Sequence, residues 1–247
     1  MNEKIKENLK RIRENIAQAA SRVQRDVSEI TLVAVTKTVE ADAVKVLLQE
    51  NQVDFGESKS QDLLLKNDAL KASVSRHLDP PDINAAQAPR SPRWHMIGHL
   101  QRNKVKQILP MVEYIHSVDS LRLAEEINTA AARLGLNDKV KIFLQVNTSQ
   151  ERQKYGLAVG AVSALTEQIN SLPNIIVVGL MTMAPLTSDT IACRFCFSRL
   201  REIFEEIKSD NLAGPYFNQL SMGMSQDYTV AVEEGATMVR IGTALFS

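Results

Sequence analysis

Residues 30–56, ITLVAVTKTVEADAVKVLLQENQVDFG, contain the pattern that decides the fold of this chain. The stretch opens with Ile30–Val35, a short apolar run rich in β-branched residues, which is typical of a strand buried on both faces. A helical pattern follows over Ala41–Glu50, and a second short strand over Val53–Gly56. Such a unit predicts two parallel strands joined by a helical crossover.

The same alternation continues to the carboxyl end of the chain. Six more strands are predicted, at Trp94–Gly98, Tyr114–Val118, Val140–Val146, Ile175–Met181, Phe217–Leu220 and Thr237–Ile241. The predicted helices are Asn2–Gln24, Ala41–Glu50, Ser58–Leu70, Asn103–Leu109, Ser120–Leu134, Val159–Leu172, Ser188–Lys208 and Gln226–Glu234. Eight strands separated by helices predict a single α/β domain over residues 1–247, a (β/α)8 TIM barrel with an extra N-terminal helix. An open, doubly wound sheet is the alternative, but no G-x-G-x-x-G motif follows the first strand.

Residues 71–93 interrupt the alternation. Four of the eight prolines fall in this segment, at positions 80, 81, 89 and 92, and large apolar side chains are few. Prolines and polar residues without periodicity favour irregular structure. We therefore expect a flexible surface loop inserted between the second and third strands.

Charge and composition exclude several classes of protein. The chain has 29 Lys and Arg residues against 29 Asp and Glu, so it offers no net positive field for nucleic acid or an anionic membrane. No apolar run is long enough to span a bilayer, and the amino terminus lacks the apolar core of a signal peptide. Two cysteines agree with a reducing compartment. We expect a cytoplasmic monomer.

Functional residues of such barrels lie at the carboxyl ends of the strands. The first strand leads to Lys37, the seventh leads to Ser221-Met222-Gly223-Met224-Ser225, and the eighth leads to Gly242-Thr243. Small residues and hydroxyls after strands 7 and 8 are typical of a phosphate cradle. The alternative for residues 221–225 is an ordinary turn in which Ser225 caps the next helix.

Arg240 lies within the apolar eighth strand, where a permanent charge is costly unless it meets an acceptor. The acceptor can be a carboxylate in a salt bridge, or it can be a bound ligand. Closure of the barrel places strand 8 beside strand 1, so Lys37, Arg240 and the cradle are expected in one sector. A lysine near a phosphate site, with an arginine between them, suits a phosphorylated aldehyde held as a Schiff base.

Motifs along nearly the whole chain outside residues 71–93 resemble those of the pyridoxal phosphate homeostasis protein family. They are Val35-Thr36-Lys37, Phe55-Gly56-Glu57, residues 94–101 with Asn103-Lys104, residues 117–120, residues 179–184, residues 221–225 with Asp227, and residues 239–243. The resemblance implies the barrel of the alanine racemase N-terminal domain. It also implies pyridoxal 5'-phosphate (PLP) as cofactor, a role in intracellular vitamin B6 homeostasis, and no catalytic turnover.

The resemblance also implies roles for individual residues. Lys37 would form the Schiff base with PLP, Arg240 would face the pyridine nitrogen, and Ser221, Gly242 and Thr243 would hold the phosphate. PLP-accepting apoenzymes are the partners it implies. The chain departs from the family at Ser58-Lys59, where an asparagine and an aromatic residue are usual, so a polar contact from this loop to the cofactor ring is in question.

The alternative function is a PLP-dependent amino-acid racemase on the same barrel. An arginine at the pyridine nitrogen disfavours ring protonation and weakens the electron sink that a carbanion needs. Racemases of this kind also carry a tyrosine base in a second domain. We do not expect that second domain here, because the sequence ends at Ser247. Within the barrel, Tyr155 in the loop after strand 5 is the best substitute for that base.

Two further pairs of residues have the spacing of metal or redox sites. Cys193 and Cys196 form a C-x-x-C, but they fall inside a predicted helix, without a second pair, so we interpret them as packing cysteines. His95 and His99 are four residues apart, but they flank the end of a strand and need not share a face. A structural role or a role behind the site is favoured for them over metal binding.

Overall fold

The computed structural model describes residues 2–75, 91–149, 151, 153 and 155–247. Its strands are β1 (Thr31–Val35), β2 (Asp54–Glu57), β3 (Arg93–Met96), β4 (Val112–Val118), β5 (Val140–Gln145), β6 (Ile175–Met181), β7 (Gln219–Ser221) and β8 (Met238–Ile241). They form a closed barrel in chain order, every neighbouring pair is parallel, and β8 pairs with β1. The (β/α)8 barrel is confirmed.

The helices surround the barrel. They are α1 (Asn2–Arg22), α2 (Ala41–Gln49), α3 (Ser60–Ser75), α4 (Val105–Ile108), α5 (Leu121–Leu134), α6 (Val162–Asn170), α7 (Thr190–Ser209), α8 (Tyr228–Glu233) and α9 (Thr243–Phe246). Short 3-10 turns lie at Val27–Glu29, Arg102–Lys104 and Val159–Ala161. No helix in the described part of the chain is long and apolar enough to cross a membrane.

The extra N-terminal helix α1 is present and packs against α2, α8 and α9. Its buried stripe is Ile5, Leu9, Ile12 and Ile16, which matches the three- to four-residue period of a helix with one apolar face. The Asn8 side-chain amide also donates to the carbonyl oxygen of Leu245 at 3.0 Å. The helix therefore covers the side of the barrel where β8 meets β1 and fixes the last turn of the chain.

The barrel interior combines apolar and polar side chains. A small apolar cluster is formed by Val33, Phe143, Val178, Met181 and Met238. Beside it lie four buried polar side chains: His95, His116, Ser221 and Arg240. Barrel interiors are filled mainly by branched apolar residues, so this polar group within the core is the feature that leads to the site.

The expected loop over residues 71–93 is wrong at both ends. Helix α3 continues to Ser75, because its sequence holds no proline or glycine that would stop it. Arg93 is the first residue of β3, where its backbone N–H donates to the Val53 carbonyl at 2.7 Å and its guanidinium pairs with Asp54 at 2.6 Å. Residues 91 and 92 are irregular, and residues 76–90 lie outside the described residues.

The seventh strand also differs from the prediction of Phe217–Leu220. It spans Gln219–Ser221 and pairs Ser221 with Met181 on one side and Met238 on the other. Ser221 therefore belongs to a strand and not to the loop after it. Its side chain is fully buried in the interior, which changes the role that it can play.

Candidate functional site

Lys37 lies on the exposed turn that follows β1. The turn is held by two backbone hydrogen bonds, from the Thr36 N–H to the Gly56 carbonyl at 3.1 Å and from the Val39 N–H to the Thr36 carbonyl at 3.1 Å. Within the described residues, the Lys37 amine has no hydrogen bond or ion pair. The chain therefore presents a solvent-accessible amine on a fixed backbone at the carboxyl end of the barrel.

A buried ion pair supports the turn that carries Lys37. The Lys66 amine lies 2.6 Å from Glu57 Oε1, and it also donates to the Thr36 carbonyl at 2.6 Å. The Thr36 hydroxyl donates to the same carboxylate oxygen at 2.6 Å. All three side chains are buried. The residue before Lys37 is thus anchored by both its backbone and its side chain, a support that the sequence patterns did not reveal.

Arg240 carries a buried guanidinium without a carboxylate partner. Its Nη1 donates to Ser221 Oγ at 2.6 Å, and its Nη2 donates to the Thr182 carbonyl at 2.8 Å. Burial lowers the pKa of Arg240 to about 10, although Asp227 acts in the opposite direction, so the group is still a cation at neutral pH. No ion pair joins Arg240 to any carboxylate in the described part of the chain, so the salt-bridge explanation does not hold.

The loops after β7 and β8 meet at Ser225. Its Oγ accepts from the backbone N–H of Gly242 at 3.3 Å and from that of Ala244 at 3.1 Å. It does not cap α8, whose N-cap residue is Asp227. The alternative of an ordinary helix-capping turn is therefore wrong, and two backbone donors converge with a hydroxyl at one point.

Two glycines allow this close approach. Gly223 has a φ of +94°, and a Cβ built there would lie 2.6 Å from the Cβ of Ala231. A Cβ on Gly242 would lie 3.1 Å from the Val35 carbonyl oxygen, only two residues before Lys37. The end of β8 thus touches the end of β1, so Gly242 and Lys37 share one sector of the carboxyl rim. The exposed Thr243 hydroxyl follows directly.

Ser221 was expected to be part of this cradle, but its hydroxyl is used elsewhere. Its Oγ lies between Arg240 Nη1, at 2.6 Å, and His116 Nδ1, at 2.8 Å. The structure places Ser225, and not Ser221, against the backbone amides after β8. Both serines stand in the same five-residue motif, so the choice between them depended on where β7 ends.

The two histidines in the i,i+4 pair separate as expected. His95 is fully buried in the barrel, where its Nδ1 lies 2.9 Å from His116 Nε2 and its Nε2 lies 3.1 Å from Asp54 Oδ1. His99 lies on the rim and stacks on Tyr155 with ring centroids 4.4 Å apart. His116 was not singled out from the sequence, although strand alternation places it on the same face of β4 as Tyr114.

Burial sets the protonation of these histidines. Desolvation lowers the pKa of His95, although its hydrogen bond to Asp54 acts in the opposite direction. Desolvation holds the pKa of His116 well below its usual value, and the charge of Arg240 contributes to this. Both imidazoles are therefore neutral at physiological pH.

The interpretation of the cysteines is confirmed. Cys193 and Cys196 lie in the middle of α7, where both are buried members of the core between the helix and the sheet.

Comparison with known proteins identifies the family to which the chain belongs. Residues 8–247 match the family model for the alanine racemase N-terminal domain. The chain is 37% identical over 241 residues to the pyridoxal phosphate homeostasis protein of Aquifex aeolicus, covering 97% of this chain and 96% of that protein. It is 37% identical over 246 residues to the human protein of the same name, covering 96% and 84%. The chain belongs to the pyridoxal phosphate homeostasis protein family.

Solved structures agree with this membership. A protein of Bifidobacterium adolescentis superposes with a TM-score of 0.87 at 31% identity, covering 99% of this chain and 95% of that one. PipY of Synechococcus elongatus with PLP bound superposes with a TM-score of 0.74 at 31% identity, covering 94% and 100%. Alanine racemase of Clostridium difficile, at 14% identity and a TM-score of 0.70, is covered over only 56% of its chain and shows the shared fold alone.

Proposed function

We propose that this protein binds PLP at the carboxyl mouth of its barrel and takes part in PLP homeostasis without turning over a substrate. The observation that carries the proposal is Arg240, a buried cation on β8 next to β1, which donates to Ser221 and to the Thr182 carbonyl and has no carboxylate partner among the described residues. The relatives named as pyridoxal phosphate homeostasis proteins and the PLP complex of PipY support the same cofactor.

Lys37 is our choice for the amine that holds PLP. When bound, PLP supplies an aldehyde carbon with which a lysine amine forms a Schiff base. The Lys37 amine is exposed and unpaired among the described residues, whereas the Lys66 amine is buried and occupied by Glu57 and Thr36. The buried pair fixes the backbone next to Lys37.

We propose that the phosphate is held by backbone N–H groups of residues 242–244 with the hydroxyls of Ser225 and Thr243. Backbone amides and hydroxyls are the donors that bind phosphate in such loops. The Gly242 and Ala244 N–H groups already converge on one oxygen atom, Ser225 Oγ, and a phosphate oxygen would replace that hydroxyl as their acceptor. This revises the expected set Ser221, Gly242 and Thr243 by replacing Ser221 with Ser225.

Arg240 is proposed to face the pyridine nitrogen. A guanidinium has donors and no acceptor, so the ring nitrogen must accept from it and stay unprotonated. An unprotonated ring withdraws electrons less strongly from a bound amino acid. Donation from Arg240 to the ring nitrogen therefore supports a carrier or regulator over a racemase.

The cofactor site is tested by trapping the link between the lysine and PLP. Borohydride reduction of the PLP-loaded protein, followed by peptide mass mapping, should place the pyridoxyl group on Lys37. Lys37→Ala should remove the adduct and keep the fold, while Lys45→Ala, on an exposed face of α2, should keep both. An adduct on another lysine, or none in the native protein, would refute the assignment.

The absence of turnover has its own test. Loaded protein incubated with L-alanine should form no D-alanine above the rate of free PLP. Production of D-alanine at an enzymatic rate, lost in Lys37→Ala, would establish the racemase instead, and Tyr155 would then be the first base to substitute.

We also propose that the protein acts as a monomer and passes PLP to apoenzymes. The exposed position of Lys37 supports access by an acceptor. Light scattering should give the mass of one chain. Loaded protein mixed with an apo-aminotransferase should restore its activity faster than PLP leaves this protein on its own. A restoration rate equal to the spontaneous release rate would count against direct transfer.

A further inference from the structure

A continuous chain of hydrogen bonds crosses the barrel interior. It begins at Asp54, the first residue of β2, and passes through His95, His116 and Ser221 to Arg240, near the end of β8. The successive atom pairs are Asp54 Oδ1 to His95 Nε2 at 3.1 Å, His95 Nδ1 to His116 Nε2 at 2.9 Å, His116 Nδ1 to Ser221 Oγ at 2.8 Å, and Ser221 Oγ to Arg240 Nη1 at 2.6 Å. Five strands contribute to it: β2, β3, β4, β7 and β8.

The groups at the two ends of this hydrogen-bond chain fix the direction of donation along it. Arg240 can only donate, so Ser221 Oγ must accept from it. At the other end Asp54 is ionised: burial acts to raise the pKa of its carboxyl, but hydrogen bonds from His95 and Arg93 outweigh burial and lower it. An ionised carboxylate can only accept, so His95 Nε2 must carry a proton and donate.

The middle of the chain then has one arrangement with neutral imidazoles. Because His95 Nε2 carries the proton, its Nδ1 accepts from His116 Nε2–H. His116 Nδ1 therefore lacks a proton and accepts the Ser221 hydroxyl hydrogen. Every bond runs from Arg240 toward Asp54. If the two middle bonds ran the other way, His95 would carry a proton on both ring nitrogens. It would then be an imidazolium in the dry interior, which burial disfavours.

Asp54 itself is buried, but its end of the hydrogen-bond chain borders a cavity. Asp54 and Arg93 line a cavity of about 400 Å³, together with Tyr114, Gln219 and Thr237. These residues lie at the amino ends of their strands, at the mouth of the barrel opposite Lys37. The chain therefore joins a carboxylate at one mouth to the arginine of the proposed cofactor site at the other.

We propose that Asp54, His95, His116 and Ser221 are positioning residues that lock Arg240 as a one-way hydrogen-bond donor for the cofactor ring. The part of this inference that concerns the ring rests on the proposed function. The Ser221 proton is directed at His116 and both terminal nitrogens of Arg240 are engaged, so the guanidinium is held by fixed partners before any ligand enters. Without the Asp54 charge there is no fixed acceptor at that end, so the direction of the hydrogen bonds through the two histidines is no longer set.

The hydrogen-bond order is tested in cofactor-free protein. Long-range proton–nitrogen NMR of 15N-histidine-labelled protein should show His95 and His116 as neutral tautomers protonated at Nε2, assigned with His77→Gln, His99→Gln and His116→Gln variants. Asp54→Asn replaces the fixed acceptor by an amide that also donates. It should shift the nitrogen resonances of His116 as well as those of His95, although of these two histidines Asp54 contacts only His95. A proton on His116 Nδ1, or an effect of Asp54→Asn confined to His95, would overturn the proposal.

A second measurement links the chain to the ligand. Ser221→Ala removes one neutral link, so the PLP dissociation rate should rise about fivefold, the equivalent of one hydrogen bond of about 1 kcal/mol. Thr166→Val, which removes a buried hydroxyl bonded within α6, should leave the rate unchanged. Unchanged release in Ser221→Ala would refute positioning toward the cofactor. Failure of the native protein to bind PLP would instead refute the proposed function, with the chain itself still decided by the NMR result.

Discussion

The buried histidines predict how stability depends on pH, and His116→Gln is the informative perturbation. His116 is fully buried and the pKa of its imidazole is held well below the usual value, mainly by desolvation. The unfolded chain takes up a proton near its ordinary pKa of about 6.5, whereas the folded chain does not. Acid therefore favours the unfolded state, and stability falls as pH falls below that value.

The magnitude follows from the difference in bound protons. Between pH 7.5 and 5.5 an unfolded histidine gains most of one proton, which lowers the free energy of unfolding by about 1.4 kcal/mol if the folded histidine gains none. For a protein of this size, that loss corresponds to a fall in Tm of roughly 3 to 6 °C. His95 adds a smaller contribution of the same sign, because Asp54 favours its protonated form.

Urea unfolding at pH 7.5, 6.5 and 5.5 measures the effect. His116→Gln should be less stable than the native protein at pH 7.5, because His95 and Ser221 lose partners, but its stability should fall less between pH 7.5 and 5.5, by about 1.4 kcal/mol. His99→Gln, on the exposed rim, is the matched control and should keep the native dependence. Parallel pH profiles for the native protein and His116→Gln would refute the reasoning, and so would an NMR titration in which folded His116 protonates near pH 6.5.

Three other substitutions test the supports of the site. Lys66→Met leaves the buried Glu57 carboxylate without its cation and should cost about 3 to 5 kcal/mol in urea unfolding, with partial recovery in the double variant with Glu57→Gln. Gly223→Ala forces a Cβ into a left-handed backbone position and against α8, so it should lower stability by roughly 1 to 3 kcal/mol and weaken PLP retention. Asn8→Ala removes the bond from α1 to Leu245 and should lower the free energy of unfolding by about 1 kcal/mol, which hydrogen exchange should localise to the last turn.

Local patterns were sufficient for the architecture. Apolar β-branched runs such as residues 30–35 identify buried parallel strands, and the helical periods between them leave a closed barrel as the packing that buries every strand. The errors occurred where local preference is weak. Nothing local ends α3 before Ser75, and the three residues of β7 are too few for a period to place their ends.

The sequence by itself determined the barrel, the rim positions of Lys37, Gly242 and Thr243, and the unusual charge of Arg240 inside a strand. Only the tertiary structure decided that Ser225 meets the amides after β8, that Ser221 joins Arg240 to His116, and that Asp54 ends the same chain. His116 and Ser221 are 105 positions apart in sequence. The physical reason is that periodicity reports the face on which a side chain lies, whereas a hydrogen bond depends on the register between strands, which closure of the barrel sets.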